Sequence, residues 1–151
     1  MMAIKNDFSD LTRLANGVKR LGQLPQKCVT KAARKGGNVV LREVRQTAPV
    51  DTGALKRGIK LKAERNRKKG KKVFQITFTA DMNAVFQKKN ALGKVTGYYP
   101  ASMEYGYFAR NGNYIPGYHF MRRAAESKEA EMNGVTIQTL ADELDKEWNK
   151  I

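Results

Sequence analysis

Cysteine and histidine are almost missing from this chain of 151 residues, which has one of each, Cys28 and His119. A single cysteine excludes an internal disulfide, and the pair is too few for a zinc site of the usual Cys/His composition. No run approaches the roughly 18–20 apolar residues of a membrane span. The opening MMAIKNDFSD has no apolar h-region, so no signal peptide is expected. Together these point to a soluble protein kept in a reducing compartment. The phosphate-binding pattern G-x-x-x-x-G-K-[ST], the dinucleotide pattern G-x-G-x-x-G and the nucleophile pattern G-x-S-x-G are all lacking. Cys28 falls on an apolar helical stripe and reads as a buried structural thiol. His119 reads as a residue at a helix start. Asp51, Asp81 and Glu104 could be assembled into the carboxylate set of a metal-dependent nuclease, but nothing in their spacing demands it. The expectation is no enzyme, no catalytic residue, no metal and no cofactor.

Acidic residues are the other shortage, with 14 Asp+Glu against 29 Lys+Arg and a net charge of +15. The imbalance is uneven. Residues 54–72 hold ten cations (Lys56, Arg57, Lys60, Lys62, Arg65, Arg67, Lys68, Lys69, Lys71 and Lys72) and one acid, Glu64. Residues 126–151 hold seven acids and three lysines, a charge of −4, which leaves +19 on residues 1–125. Such a molecule is oriented, with one face suited to a polyanion or an acidic partner. The basic stretch reads either as a solvated turn or as a finger that reaches DNA or an acidic protein surface. It has no aromatic residue to stack on a base. The binding it supports is phosphate contact without base readout, which salt abolishes.

Hydrophobic spacing predicts the elements. Ser9 is a plausible cap for a short helix with Leu11, Leu14, Ala15, Val18 and Leu21 on one face. Pro25 suits the first position of a long helix running to about Gln46. Gly36-Gly37 in its middle would permit a close helix crossing. The helix must end before Pro49, since the residue preceding proline is pushed out of the α region. Residues 55–63 and 73–79 read as two strands of an antiparallel hairpin with the lysine-rich segment at its tip. Met82, Val85 and Phe86 read as a further strand, 88–97 and 110–118 as loops, and His119 onward as a helix to about Met132. Asn133-Gly134 signals a turn before a last, acidic helix containing Ile137, Leu140, Leu144 and Trp148. Helices, then strands, then helices in one domain of 1–151 make the class α+β. Glu104, among Tyr98, Tyr99, Met103 and Tyr105, needs a partner if buried, and an arginine is expected.

Two segments taken together are more specific than the composition. The first is Thr47-Ala48-Pro49-Val50-Asp51-Thr52-Gly53-Ala54-Leu55, with Ile59 beyond it, after the long helix. The second is Tyr99-Pro100-Ala101-Ser102-Met103-Glu104-Tyr105-Gly106, followed by Phe120-Met121-Arg122-Arg123-Ala124 at a helix start. Over residues 25–130 this pattern resembles the tail-completion (neck, minor tail component) family of long-tailed phages. One departure is Tyr107, where the family usually has Thr or Ser. Pro49, Asp51, Thr52 and Gly53 make a helix-to-hairpin corner in which Asp51 and Thr52 can bond free amides, and Glu104, Tyr105 and Gly106 a second corner.

The resemblance implies a structural virion protein without catalysis, assembled in the host cytoplasm and placed at the head–tail junction. Its implied partners are copies of itself in a ring (six-fold favoured, twelve-fold possible), the tail terminator, head-closure or connector proteins, and packaged DNA, with no membrane. Tyr98, Tyr99, Tyr105, Tyr107, Phe108, Tyr114 and Tyr118 crowd positions 98–118. Aromatic residues are enriched at interfaces, so Tyr98, Tyr99, Tyr107, Phe108, Tyr114 and Tyr118 are candidates for subunit or neighbour contact. The competing reading is a small basic protein that binds nucleic acid without regard to sequence.

Overall fold

The computed structural model describes residues 25–65 and 70–150. The helix expected over 9–21 lies outside the described residues. Helix α1 spans Pro25–Thr47, and the chain then turns through Pro49 into a single helical turn, α2, Ala54–Gly58. Strands β1 (Ile59–Ala63) and β2 (Phe74–Phe78) form an antiparallel pair in which Leu61 faces Ile76 and Ile59 faces Phe78. A 3-10 turn (Ala80–Met82) and a one-turn helix α3 (Asn83–Phe86) lead to the hairpin β3 (Gln87–Lys89) and β4 (Val95–Tyr98). Helix α4 (Tyr99–Tyr105) precedes the hairpin β5 (Gly106–Phe108) and β6 (Tyr114–Pro116). The last helix, α5, runs over Phe120–Trp148, about 43 Å at 1.5 Å per residue. The class is α+β, with three separate two-stranded sheets among the described residues.

Helices α1 and α5 lie antiparallel, as their paired residues show. Lys31 Nζ is 2.7 Å from Glu143 Oε1, and Lys128 Nζ is 3.9 Å from Glu43 Oε2 at the other end. Between them the helices meet at Gly36, where a Cβ would collide with Thr136 Oγ1 and come within 3.2 Å of the Met132 carbonyl. The expected close crossing is there, and it needs Gly36. The apolar face of the β1–β2 hairpin packs on the adjoining face of α1, with Leu61 within 3.0 Å of where a Cβ on Gly37 would stand. Val40, Val44, Ala48, Leu55, Ile59, Phe120 and Ala124 form the core, with Tyr99 and Met103 against it. Cys28 is buried and unpaired, as its place on the stripe predicted.

Several boundaries differ from the reading of the sequence. Residues 54–58 are helical, not strand; Leu55 and Ile59 are both buried, and their spacing of four is helical spacing. Met82 and Phe86 lie on short helical turns because Phe86 turns inward, against Phe78 and Tyr98 at centroid distances of 5.7 and 6.0 Å. Residues 88–97 are not a loop but mostly a hairpin, closed by Asn90 Oδ1 accepting from the amides of Leu92 and Lys94. Residues 110–118 also hold a strand, with Asn111 Oδ1 accepting from the Asn113 amide in the turn. Both hairpins are solvated and polar in their turns, so hydrophobic alternation was missing. Finally, Asn133-Gly134 is no turn: α5 passes straight through it. Both residues are exposed, and Met132 and Thr136 on either side hold the helix to α1. That packing offsets the roughly 1 kcal/mol that glycine costs a helix.

Two consequences are measurable. Gly36→Val should destabilise the chain by about 1–3 kcal/mol or more through overpacking. Gly134→Ala, with nothing within 4 Å of its new methyl, should stabilise it by about 1 kcal/mol; urea unfolding of both variants checks the pair. Glu143, hydrogen-bonded by Lys31 and Lys146, has its carboxyl held down to about 2. A carboxylate depressed on folding stabilises above its unfolded value and loses that contribution as pH falls through the folded one. The stability gap between the parent and Glu143→Gln should therefore be full above pH ~5 and vanish towards pH ~2.

Candidate functional site

The basic stretch begins on α2 and continues along β1. Lys60 and Lys62 point away from Leu61 and are exposed, paired in register with Thr77 and Gln75. Arg57, Arg65 and Lys71 are exposed and Lys56 half-buried; Arg67, Lys68 and Lys69 lie outside the described residues. Three cations of the stretch also hydrogen-bond within the chain, Arg57 to the Thr52 carbonyl at 3.4 Å. Lys72 donates to the Glu64 carbonyl at 2.7 Å and stands 5.8 Å from the centre of the Phe74 ring. Lys60 donates to Thr79 Oγ1 at 3.1 Å. Glu64 itself accepts from Gln75 Nε2.

The hairpin is fastened at both ends to α1. At its base, Arg45 Nη2 donates to the Ile59 carbonyl at 2.6 Å. Towards its tip, Gln26 Oε1 accepts from the Gly70 amide at 3.0 Å and Gln26 Nε2 donates to the Lys71 carbonyl at 3.3 Å. The cations thus project from an element laid along a helix, rather than from a free arm. Neither Arg45 nor Gln26 carries a sequence signal, because each meets backbone far along the chain. The β3–β4 hairpin adds the exposed lysines Lys88, Lys89 and Lys94, a second basic patch that the pairing of a supposed loop concealed.

The two sequence motifs converge at the C-terminal end of α1. Thr52 Oγ1 accepts from the Ala54 amide at 3.4 Å, and Gly53 takes the left-handed φ of 73° that begins α2. Asp51, exposed, makes no hydrogen bond among the described residues, but its charge reaches the second motif. The Tyr99 phenol is pushed above its ordinary value by burial first, then by the Asp51 carboxylate, then by Tyr118.

Glu104 is 5% exposed, and its partner is not an arginine. Its two carboxylate oxygens accept the amides of Met121 at 2.9 Å and Arg122 at 3.1 Å. These are unpaired donors of the first turn of α5, and the negative charge faces the positive end of the helix. The Glu104 carbonyl also accepts from His119, which starts the helix at a φ of 51°. Gly106, at a φ of 90°, lies so close to the Ile115 carbonyl that a Cβ would collide with it. The Glu-Tyr-Gly corner is thus a joint that aims α5 and seats the β5–β6 hairpin.

The candidate contact aromatics divide into two groups. Tyr98 and Tyr99 are half-buried in the chain's own packing. Tyr107, Phe108, Tyr114 and Tyr118 are exposed, Phe108 to 76%, as is Tyr105 of the second corner. Phe108 and Tyr114 lie 5.3 Å apart across β5–β6, and Tyr114 Oη donates to the Tyr105 carbonyl. Tyr107 and Ile115, the neighbouring pair in the register, lie on the opposite face, so the thin hairpin carries exposed apolar side chains on both faces. Among the described residues no group of three or more His, Cys, Asp and Glu could hold a metal ion, and no helix is long and apolar enough to cross a membrane.

Replacing Glu104 with Ala removes a charged acceptor from two part-buried amides of the first turn of α5 and should cost about 2–3 kcal/mol. Glu104→Gln keeps one acceptor oxygen and should lose less. Equal stability of parent and Ala variant in urea would show that α5 does not depend on this joint.

Compared with known proteins, residues 12–112 match the family model of bacteriophage HK97-gp10-like proteins, described as tail components. No curated protein and no solved structure matches the chain. The matched span takes in α1, the basic hairpin, both convergent motifs and the start of the aromatic hairpin. The chain belongs to the HK97-gp10-like family of phage tail components.

Proposed function

We propose that this tail component acts at the junction of the DNA-filled head and the tail, by assembly and without catalysis, as a homo-oligomeric ring around the DNA path. The observation that carries the reading is the outward face of β1 and its continuation. There Lys60, Lys62, Arg65 and Lys71 stand in solvent on a hairpin pinned to α1 at both ends. A fixed row of cations facing a channel meets phosphates at any sequence and any rotation of the duplex, which is what a conduit for DNA requires. The exposed aromatic hairpin, with Tyr107, Phe108, Tyr114 and Tyr118, supplies the contact to a neighbouring subunit or to an adjoining tail-terminator or head-closure protein. Six-fold symmetry would match the tail and twelve-fold the portal; six is the favoured number.

Particles made with the gene silenced should appear by electron microscopy as filled heads beside unattached tails. Normal infectious particles would reject the junction. The DNA contact is tested separately by changing Lys62, Arg65, Arg67, Lys68, Lys69 and Lys71 to Ser, leaving Lys72 in its packing role. The variant should fold but join poorly, and the dependence of DNA affinity on salt should flatten by about 0.9 in log–log slope for each phosphate no longer neutralised. Unimpaired joining would overturn the role of the finger. Impaired joining with an unchanged salt slope would assign it to an acidic protein neighbour.

A further inference from the structure

The turn of the β3–β4 hairpin holds a leucine out in solvent. Leu92 is 92% exposed, yet the turn that carries it is closed by its own hydrogen bonds. Asn90 Oδ1 accepts from the amides of Leu92 and Lys94, the Asn90 amide donates to the Lys94 carbonyl at 2.9 Å, and the Gly93 amide donates to the Asn90 carbonyl at 3.0 Å. Gly93 supplies the left-handed φ of 75° at this reversal. An apolar side chain on a turn already ordered has little backbone freedom to lose on docking. Its surroundings are basic: residues 87–98 hold Lys88, Lys89 and Lys94 and no acid.

The matching surface is an open apolar trough of about 460 Å³, lined by Val40 and Val44 of α1, Leu61 and Ile76 of the first hairpin and Met132 of α5. Its rim on α5 is acidic, with Glu126 and Glu129 both exposed. Glu126 pairs with Arg122, and Glu129 makes no ion pair among the described residues. No residue of the β3–β4 hairpin lines the trough, so one chain presents knob and socket on separate surfaces. We infer that Leu92 of one copy enters the trough of the next, with Lys89 and Lys94 meeting the Glu126–Glu129 rim. The inference rests on the ring reading above and names a contact that builds the ring. Because knob and socket are different patches, two joined copies still leave one of each free, and the series ends only when a ring closes. The apolar anchor gains from burial at the centre, and the opposite charges around it set its orientation. One hairpin turn covers far less than the about 1,000 Å² of a lasting interface, so free copies should pair only briefly and the closed ring should hold the contact.

The test uses particles assembled with the full chain carrying Leu92→Cys and Ala125→Cys, two exposed sites of which the second lies in the trough. After oxidation, non-reducing electrophoresis should show most of this protein as a ladder of linked copies. Leu92→Cys with Ala141→Cys, exposed on the same helix but outside the trough, should stay unlinked, and equal linkage there would overturn the assignment. An amine-reactive cross-linker applied to unaltered particles reads the ring independently. Copies joined by that reagent without a disulfide ladder would overturn the Leu92 contact and leave the ring standing; no links by either would overturn both. A disulfide from Leu92→Cys to a different protein of the particle would overturn the inference in favour of a foreign partner. Should the cysteine pair fail to assemble, Leu92→Asp decides. It should unfold at the parent's urea concentration yet be left out of particles, and incorporation at the parent's level would refute the contact.

Discussion

The fold depends on the close approach of α1 and α5 at Gly36. A side chain at that position would push the helices apart, and with them everything laid on α1. Because the backbones come close, Val40 and Val44 reach Ala124 and Phe120 directly, and the ion pairs Lys31–Glu143 and Lys128–Glu43 fall into register at either end. These pairs are partly solvated, so their contribution is modest and falls with salt. They fix the alignment of the helices more than they hold them together. The glycine contact and the apolar stripe supply the stability.

Two joints aim the remaining elements from that helix pair. The Pro49–Gly53 corner ends α1 and launches α2, which delivers the basic hairpin back along α1. The Glu104 carboxylate grips the free amides at the start of α5 and so couples the aromatic hairpin to the second helix of the pair. The short hairpins have little core of their own, and an isolated two-stranded hairpin is marginal in water. Fastening at Gln26, Arg45, Glu104 and Tyr114 gives them defined positions. The charged and aromatic surfaces are thereby presented at fixed angles.

Charge follows the same plan. The acids of α5 are largely occupied within the chain, by Lys31, Arg122, Lys128, Lys146 and Lys150. The cations of the first hairpin have few acidic partners, since Glu64 is the one acid of that stretch and faces Gln75. The net positive charge is therefore concentrated at the hairpin surface, where a polyanion would meet it.

What could be read from the residues was whatever has a local cause. Proline and helical spacing set the bounds of α1, the alternation of Phe74, Ile76 and Phe78 marked β2, the charge blocks pointed to a polyanion or an acidic partner, and the two ordered motifs carried the resemblance to the phage tail family. Gly36-Gly37 also announced a close crossing, though not the helix that crosses there. Only tertiary structure decided the partner of Glu104, the continuity of α5 through Asn133-Gly134 and the anchoring of the hairpin by Gln26 and Arg45. In each of these the deciding atom lies far along the chain: a backbone amide, a carbonyl or a packed methyl that no spacing within the segment encodes. Local sequence sets what a segment prefers, and contacts between distant segments override that preference when burial is worth more than about 1 kcal/mol of propensity.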